Sequence, residues 1–379
     1  MTEPRKLLYL TGTRADFGLM ARTLQLVAKD PALELSLAVT GMHLSPLFGE
    51  TITDVRASGL HISAELPVKL EDGTPLETAQ AVASILAGMS AHMCRERPDA
   101  LVLLGDRGEM LAGAIAAVHL NVPIFHLHGG ERSGTIDESI RHAISKLAHY
   151  HFTSTQGARE RLVRMGEDPA YIFVTGAPGL DDTLATPPKS RAEIFGEFGL
   201  DPDHAAGLMV FHPVVQSEAE AGTQVETLLE AALDSGLNLI ALAPNSDAGS
   251  QHIRAALARF EDHPKLRLRT HLPRGVYLAL MARVDVLLGN SSSGILEAAN
   301  FGTPVVNVGD RQKGRERNSN TIDVPVEAQA VRLAIAAALA HGRYDGSNIY
   351  GDGHAAPRIR DLLRDLPLSP DLLNKINRY

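Results

Sequence analysis

The sequence contains a single cysteine, Cys94, and no long apolar run. One cysteine excludes an intramolecular disulfide framework and a cysteine-built metal site, and it fits a reducing compartment. No stretch approaches the roughly 18–20 uninterrupted apolar residues that a membrane-crossing helix needs. The first apolar run is short and reaches Gly12 within a few residues, so we interpret it as a strand and not as a signal peptide. We therefore expect a cytoplasmic protein.

The chain also lacks an excess of positive charge, since its formal net charge is −9. This acidity argues against a general partner of nucleic acid or of an anionic membrane. Basic residues can still cluster around an anionic ligand, so nucleotides are not excluded. No low-complexity block indicates disorder, and 44% hydrophobic residues are ample for globular folding. At 379 residues, two domains of roughly 150–200 residues are expected.

Short apolar runs alternate with longer runs of helical period along the first half of the chain. Predicted strands there are 6–13, 34–41, 100–106, 122–130 and 171–176. Predicted helices between them are 17–29, 78–96, 109–120 and 138–149. This alternation predicts a parallel sheet covered on both faces. Gly, Pro and Asp then cluster without periodicity at 176–190, which is the best candidate for a linker.

The same alternation restarts after the linker and predicts a second α/β unit. Its predicted strands are 207–213, 238–244, 266–272, 285–290 and 304–309. Its predicted helices are 225–236, 252–262 and 276–284. Both units place their ligand-facing loops at the carboxyl ends of the strands. Related doubled folds serve dehydrogenases, glycosyltransferases and epimerases alike, so the architecture alone names no function.

Two loops in the first half carry charged residues at predicted strand ends. Arg14 and Asp16 follow the first strand, where a guanidinium beside a helix N-terminus suits an anionic ligand. The alternative is that Arg14 only pairs with Asp16. No G-x-G-x-x-G motif is present, so no dinucleotide redox cofactor is expected. Asp106 and Arg107 follow the strand at 100–106; Asp106 is either a functional carboxylate at the sheet edge or the N-cap of the next helix.

The densest polar segment is FHLHGGERSGTIDESIRH, residues 125–142. His126 and His128 lie two apart on a predicted strand, which sends both side chains to one face. With the nearby carboxylates they resemble a metal site, but no third ligand stands at a recognisable helical spacing, so no metal is expected. A general acid–base cluster is favoured over residues that only cap the helix at 138–149. The cluster comprises Glu131, Asp137, Glu138, Arg141 and His142.

The second half contains a polar loop and a basic loop. His212 lies at a strand end, and Asn290–Gly294 open a helix with backbone N–H groups and hydroxyls that suit a phosphate. Glu297, one turn further, can accept hydrogen bonds from ribose hydroxyls. The basic loop contains Arg311, Lys313, Arg315 and Arg317. Its alternative interpretation is a solvated run of charges.

Seven segments spread in order over nearly the whole chain carry a family resemblance. They are GTRADFG (12–18), GDRGEM (105–110), HLHGGERSGTIDESIRHAISKLAHYHF (126–152), FHP (211–213), PNSDAGS (244–250), GNSSSGILEA (289–298) and FGTPVVNVGDRQKGRE (301–316). Together they resemble the hydrolysing UDP-N-acetylglucosamine 2-epimerases, which open bacterial and animal sialic-acid synthesis. The resemblance implies two Rossmann-like, doubly wound parallel-sheet domains with a central cleft, the glycosyltransferase-B type. The implied domains are 1–178 on the sugar side, 179–356 on the nucleotide side, and helices in 357–379 that cross back.

The reaction implied by the resemblance releases UDP, removes the C2 proton to give a glycal, and adds water to yield N-acetylmannosamine, with no cofactor. Asp106 and Asp137 are its leading proton-transfer candidates, with Glu138 close by. His212 matches a histidine near the leaving phosphate, and Glu297 matches the ribose contact. The other implied substrate or nucleotide contacts are Arg14, Arg107, Asn245, His271, Ser291, Ser292, Gly294 and Arg311.

The chain departs from the family pattern at two positions. Some members carry a glutamate where this chain has His128, so His128 replaces that group or its role moves to Glu131. The lysine of the non-hydrolysing relatives is replaced by Leu19, and the GTRAD spelling favours the hydrolysing branch.

Three alternatives to this function remain. The same reaction on UDP-2,4-diacetamido-trideoxyhexose or GDP-N-acetylglucosamine, on the legionaminic acid route, is the nearest. A glycosyltransferase of the same fold and a nucleotide-sugar sensor without turnover are the others. We expect a UDP-sugar as partner, no nucleic acid and no membrane, and a homodimer or homotetramer.

Overall fold

The computed structural model describes residues 3–70, 74–133, 136–181, 183, 189–244 and 249–378. The chain divides into two compact units. The first contains Met1–Glu131, Ile136–Asp181 and Tyr350–Tyr379, and the second contains Arg132–Thr135 and Asp182–Ile349. Among the described residues, none of the helices combines the length and apolar character that a membrane span requires.

The first unit is built on a seven-stranded sheet in which every pairing is parallel. Its strands are Arg5–Thr11 (β1), Leu33–Thr40 (β2), Ile62–Leu66 (β3), Ala100–Leu104 (β4), Ile124–Leu127 (β5), Tyr150–Thr153 (β6) and Ile172–Val174 (β7). The order across the sheet is β3-β2-β1-β4-β5-β6-β7. The order reverses between β1 and β4, and in open parallel sheets ligands bind beside such a reversal, at the carboxyl ends of the strands.

Successive side chains of a strand point to opposite faces of the sheet. Both faces of this sheet are apolar, and helices cover both of them. Leu7 and Tyr9 belong to one apolar cluster, and Leu8 and Leu10 belong to another. The helices are Arg14–Ala28 (α1), Ile52–Ala57 (α2), Pro75–Glu96 (α3), Gly108–His119 (α4), Ile136–Leu147 (α5) and Gln156–Arg164 (α6). Short 3-10 turns are Gly41–Leu44, Pro46–Phe48, Pro169–Tyr171 and Pro178–Leu180.

The second unit has a six-stranded parallel sheet in the order β10-β9-β8-β11-β12-β13. Its strands are Ala206–Val210 (β8), Asn238–Leu242 (β9), Leu266–Arg269 (β10), Val286–Gly289 (β11), Val305–Val308 (β12) and Thr321–Val324 (β13). Its helices are Arg191–Gly196 (α7), Ala221–Asp234 (α8), Ser250–Ala258 (α9), Arg274–Met281 (α10), Ser292–Leu296 (α11) and Ala328–His341 (α12). Further 3-10 turns are Val215–Glu220 and Ala298–Phe301.

A final helix, Ala355–Asp365 (α13), returns to the first unit and is followed by a 3-10 turn at Pro370–Leu373. Ile359 and Leu363 of α13 join the same buried cluster as Leu7 of β1. Its first turn is held by Asp181, whose carboxylate oxygens accept hydrogen bonds from the N–H groups of Ala355 and Ala356 at 2.9 and 2.7 Å. The described part of the first unit is therefore assembled from segments far apart in the sequence.

The predicted fold class of two doubly wound parallel-sheet α/β domains is confirmed, and each predicted strand corresponds to an observed one. The pattern of apolar runs missed edge strands β3 and β13, because half-exposed edge strands carry polar residues that interrupt an apolar run. It also missed β6, helix α6, which buries only Ala158 and Leu162, and the alanine-rich helix α12. Alanine gives little contrast between the two faces of a helix.

Candidate functional site

Asp106 lies directly after β4 and is held by an arginine from α5. Arg107, and not Asp106, is the N-cap residue of α4, so the interpretation of Asp106 as a helix cap is wrong. The Asp106 carboxylate forms an ion pair with Nη2 of Arg141, whose side chain is 1% exposed, while Asp106 itself is 23% exposed. Arg141 Nη1 also donates to the Glu131 carbonyl at 3.0 Å. One buried guanidinium therefore fixes both loops.

His126 is a buried link between β5 and its neighbours. Its Nε2 donates to the Gly105 carbonyl at 2.8 Å, and its Nδ1 lies 3.2 Å from Ser145 Oγ. A carbonyl only accepts, so the proton of the neutral ring is on Nε2. Burial lowers the pKa of His126 to about 3. This histidine therefore stays neutral and supports the Gly105–Asp106 turn.

His128 and Glu131 form a buried pair just beyond β5. His128 has a left-handed backbone with φ +62, so the two-residue alternation of the strand does not apply to it and the expected shared face with His126 is wrong. Its Nδ1 lies 2.8 Å from Glu131 Oε1, and both side chains are more than nine-tenths buried. Ser154 Oγ donates to the same Oε1 at 2.6 Å.

The other ring nitrogen of His128, Nε2, is buried and has no hydrogen-bonding partner among the described residues. When a carboxylate accepts from Nδ1–H, the neutral imidazole presents a lone pair at Nε2. A non-glycine residue in a left-handed conformation is uncommon and tends to be found at functional positions. The arrangement is therefore suited to proton transfer at Nε2.

Asp137 and Glu138 lie in the first turn of α5 and are half-buried. The helix begins at Ile136, two residues before the predicted start, so these carboxylates are inside the helix and do not precede it as caps. Glu138 Oε1 lies 3.8 Å from His142 Nε2. Within the described ranges, no group of three or more His, Cys, Asp or Glu residues is arranged to hold a metal ion.

The two glycines after His128 allow a tight turn against α6. Gly130 has φ +76, and a Cβ there would lie 2.4 Å from the Ala158 carbonyl oxygen. Arg161 of α6 donates to the Gly130 carbonyl. Glycine is therefore required where this loop passes the helix.

The loop after β1 is ordered by Asp16, not by Arg14. Thr13 is the N-cap of α1, and Asp16 completes the capping box by accepting from the N–H groups of Gly12 and Thr13 at 3.1 and 2.8 Å. Burial raises the pKa of Asp16 to about 6. Arg14 instead pairs with Asp54 at 2.5 Å, so the suggested Arg14–Asp16 pair is wrong.

Arg107 Nε lies 3.3 Å from Glu109 Oε2, a buried carboxylate that the sequence analysis did not single out. A Cβ at Gly12 would lie 3.0 Å from Glu109 Cγ. Glu109 therefore links the loops after β1 and β4, and its place in the GDRGEM motif was the available signal.

In the second unit, Asn290 connects the ends of two adjacent strands. Its Oδ1 accepts from the His212 N–H at 2.7 Å, and its Nδ2 donates to the His212 carbonyl at 2.8 Å. Its own carbonyl accepts from Arg311 Nη1 at 3.1 Å and from Gln312 Nε2 at 2.9 Å. The loops after β8, β11 and β12 therefore meet at Asn290, and His212 and Arg311 lie beside it.

The serine loop after β11 opens a helix of only five residues, Ser292–Leu296, with Ser291 as its N-cap. Ser293 Oγ lies 2.9 Å from Ser291 Oγ and also bonds to the hydroxyl of Tyr277. Burial raises the pKa of Tyr277, so this hydroxyl stays protonated. Gly294 lies inside the helix, where a Cβ would be 2.9 Å from Leu287.

Glu297 is buried and forms an ion pair with Arg274, whose Nη1 lies 2.6 Å from Oε2. Neither Arg274 nor Tyr277 was predicted as a site residue, since neither lies in one of the seven segments that carry the family resemblance. His271 is exposed in the loop after β10. Asn245, the remaining predicted contact, lies outside the described residues.

The basic loop after β12 is largely structural. Arg317 forms a two-point ion pair with Asp323 and donates to the Gln312 carbonyl at 2.9 Å. Arg311 supports Asn290, as described above. The interpretation of the whole loop as a solvated run of charges is therefore wrong for these two arginines, whereas Lys313 is 73% exposed and lies 3.8 Å from Asp310.

Comparison with known proteins identifies the family of this chain. A sequence model of the family described as UDP-N-acetylglucosamine 2-epimerase matches residues 25–364. The UDP-N,N'-diacetylbacillosamine 2-epimerase (hydrolyzing) of Legionella pneumophila is 46% identical over 375 residues, which are 99% of this chain and 100% of that protein. The UDP-N-acetylglucosamine 2-epimerase of Neisseria meningitidis is 33% identical over 92% of this chain and 91% of that protein.

Among solved structures, the N. meningitidis UDP-GlcNAc 2-epimerase bound to UDP-GlcNAc superposes with a TM-score of 0.80. That match has 17% identity and covers 94% of this chain and 99% of that chain. The likeness confirms the glycosyltransferase-B type of fold. From the sequence matches, the chain belongs to the UDP-N-acetylglucosamine 2-epimerase family.

Proposed function

We propose that the protein is a hydrolysing 2-epimerase that converts UDP-N,N'-diacetylbacillosamine and water to UDP and the free 2-epimeric sugar. The observation that carries this proposal is the 46% identity to the Legionella pneumophila enzyme along the full length of both chains. UDP-N-acetylglucosamine, the substrate expected from the sequence resemblance, is the second candidate. It is supported by the N. meningitidis relative at 33% identity.

The chemistry explains why both acidic and basic groups are needed. The C2 proton of the sugar has no adjacent carbonyl and is barely acidic in the bound substrate. Departure of UDP builds positive character at C1, which makes the C2 proton removable and gives a glycal. Groups that stabilise the leaving diphosphate therefore matter as much as the base. Water then adds at C1 and a proton adds at C2.

In this proposal the first unit moves the protons. Asp106 is the base that takes the C2 proton, because it is partly exposed at the sheet edge and held in place by Arg141. His128 acts through Nε2 as the second proton-transfer group, oriented by Glu131. Asp137 and Glu138, in the first turn of α5, assist the addition of water. A general acid or base of this kind contributes about 10²–10⁴-fold to a rate.

The second unit binds the nucleotide in this proposal. The hydroxyls of Ser291 and Ser292 contact the diphosphate, together with the N–H groups of this loop up to Gly294 and the guanidinium of Arg311. Glu297 accepts from the ribose hydroxyls, and Arg274 holds its carboxylate in place. The remaining substrate contacts are assigned to Arg14 and Arg107, which lie in the first unit, and to His212, His271 and Asn245.

The test is a turnover assay in D₂O with each of the two UDP-sugars supplied separately. We expect UDP release, a free sugar with inverted C2, and one deuterium at C2, because the proton returned to the glycal comes from solvent. A higher kcat/KM is expected for UDP-N,N'-diacetylbacillosamine. Release of UDP without deuterium at C2 would indicate simple hydrolysis, and a faster reaction with UDP-N-acetylglucosamine would favour the second candidate.

Arg311→Ala tests the nucleotide side. The variant loses a cation beside the proposed diphosphate site and a hydrogen bond to the Asn290 carbonyl. We expect the Kd for UDP to rise about 10- to 100-fold, as for loss of a hydrogen bond to a charged group. Isothermal titration with UDP measures it. Lys313→Ala is the matched control, since Lys313 is 73% exposed and should change the Kd little. An unchanged Kd in Arg311→Ala would contradict the assignment.

A further inference from the structure

A second buried polar cluster lies in the first unit, at the end of α5 remote from Asp137. Its centre is Glu167, whose side chain is 1% exposed. Lys146 Nζ lies 2.7 Å from Oε1, Lys375 Nζ 2.6 Å from Oε2, and His151 Nε2 3.0 Å from Oε2. Burial on its own raises the pKa of Glu167, but the hydrogen bonds from these partners bring it down to about 2. The carboxylate is therefore ionised, and both of its oxygens have partners.

Lys375 joins this carboxylate to the end of α5. Its ammonium group donates to the carbonyls of Ser145 and Lys146 at 3.0 Å each and to that of Ala148 at 2.6 Å. The last carbonyls of a helix have no partner within the helix and form the negative end of its dipole. A cation at this position satisfies them and holds the helix end against Glu167.

Helix α5 packs on the core through Ile140, Ile144 and Leu147, and of these three only Ile144 is buried. Of its described side chains, only Arg141, Ile144 and Ser145 are buried, and two of these three are polar. The helix is 12 residues long, about 18 Å at the usual rise, and rigid over that length. A shift at its C-terminal end therefore moves the first turn, where Asp137 and Glu138 lie.

The segment that supplies Lys375 is itself attached mainly by polar contacts. Of residues 370–378, all of which the structure describes, only Leu372 is buried. Asn377 Oδ1 accepts from Lys146 Nζ, and the Arg378 N–H donates to the Gly166 carbonyl at 2.7 Å. Because this segment is held mainly by polar contacts, we expect that Lys375 can be replaced without unfolding the core.

We propose that Lys375 is a positioning residue for α5. By tying the C-terminal carbonyls of the helix to Glu167, it fixes the places of Asp137, Glu138 and Arg141. This inference rests on the proposed function, because it takes α5 to carry the groups that move protons. Lys375 itself does not touch the reacting atoms and acts through the helix.

The test compares Lys375→Met with Arg378→Ala. Arg378 pairs with Asp168 at 2.6 Å and is 70% exposed, so its loss alters the same segment without touching α5. For Lys375→Met we expect kcat to fall about 10- to 100-fold, as for a small misplacement of reacting groups, with KM and the Kd for UDP nearly unchanged. Hydrogen exchange in 136–148 should rise. Arg378→Ala should match the wild type in all of these measurements.

Several outcomes would overturn the proposal. One is that the wild type is active and that Lys375→Met keeps kcat within about twofold of the wild-type value. A second is that hydrogen exchange in α5 is unchanged in Lys375→Met. A third is that kcat, UDP affinity and thermal stability fall in parallel in this variant, which would indicate a purely structural role. If Lys375→Met does not fold, Lys375→Gln, which keeps one donor group, replaces it. If the wild type releases UDP from neither sugar, the proposed function fails, and the exchange measurement alone decides whether Lys375 holds the helix.

Discussion

Asp106→Asn is expected to lower kcat by about 10³-fold and to change the Kd for UDP by less than about threefold. The amide keeps the shape of the carboxylate but cannot accept the C2 proton. UDP affinity should survive because the proposed diphosphate and ribose contacts through Ser291, Arg311 and Glu297 belong to the second unit. Steady-state kinetics and titration with UDP measure the two quantities. Near-normal turnover would remove Asp106 from the proton-transfer groups.

A structural explanation for the loss has to be separated from a catalytic one. Asp106 forms an ion pair with Arg141, whose side chain is 1% exposed, and removing one member of a buried pair is destabilising. The double variant Asp106→Asn, Arg141→Met removes both charges and tests the coupling. If Asp106 only balances Arg141, stability and kcat should recover together. If Asp106 is the base, stability should recover in part and kcat should stay low.

The fold was predictable because both sheets are parallel and buried on two faces. Such strands read as continuous apolar runs, and ALVLL of β4 is an example in which every residue is buried. The strands that were missed are those without this signal, the half-exposed edges β3 and β13 and the histidine-containing β6. Helix boundaries also differed by a few residues, most importantly at α5, where the difference places Asp137 inside the helix.

The sequence predicted which segments carry the residues of the candidate site, but not which side chains pair with one another. Strand ends correctly located Asp106 and Asn290, since the carboxyl edge of a parallel sheet is a local property of the sequence. The partner of each charged group is not local. Arg14 pairs with Asp54, 40 residues away, and not with the neighbouring Asp16. Lys375 reaches Ser145 across 230 residues, and no spacing rule indicates such a contact.

The contact between His128 and Glu131 suggests a physical explanation for the departure from the family pattern at His128. In the proposed mechanism a histidine at this position needs a group that fixes its tautomer, and Glu131 Oε1 lies 2.8 Å from its Nδ1. The alternatives posed by the sequence, that either His128 or Glu131 serves, therefore become two parts of one pair. The imidazole would transfer the proton, and the carboxylate would orient the ring.

His128→Gln is expected to lower kcat by about 10²–10⁴-fold, the range for loss of a general acid or base. The glutamine amide can still hydrogen-bond to Glu131 but has no nitrogen that can take up a proton. Glu131→Gln should cause a loss of similar size, because an amide can stabilise the wrong tautomer of the ring. Steady-state kinetics of the wild type and of both variants measure these losses.

Ser154→Ala completes the series as a graded control. It removes the 2.6 Å hydrogen bond to Glu131 Oε1 and leaves the carboxylate and the imidazole in place. The Ser154 hydroxyl supports the carboxylate but transfers no proton in this proposal, so we expect kcat to fall only about fivefold, well below the loss in the other two variants. Equal losses in all three variants, with reduced thermal stability, would show that the pair only supports the loop. Near-normal kcat in His128→Gln would assign the second proton transfer to Asp137 or Glu138 instead.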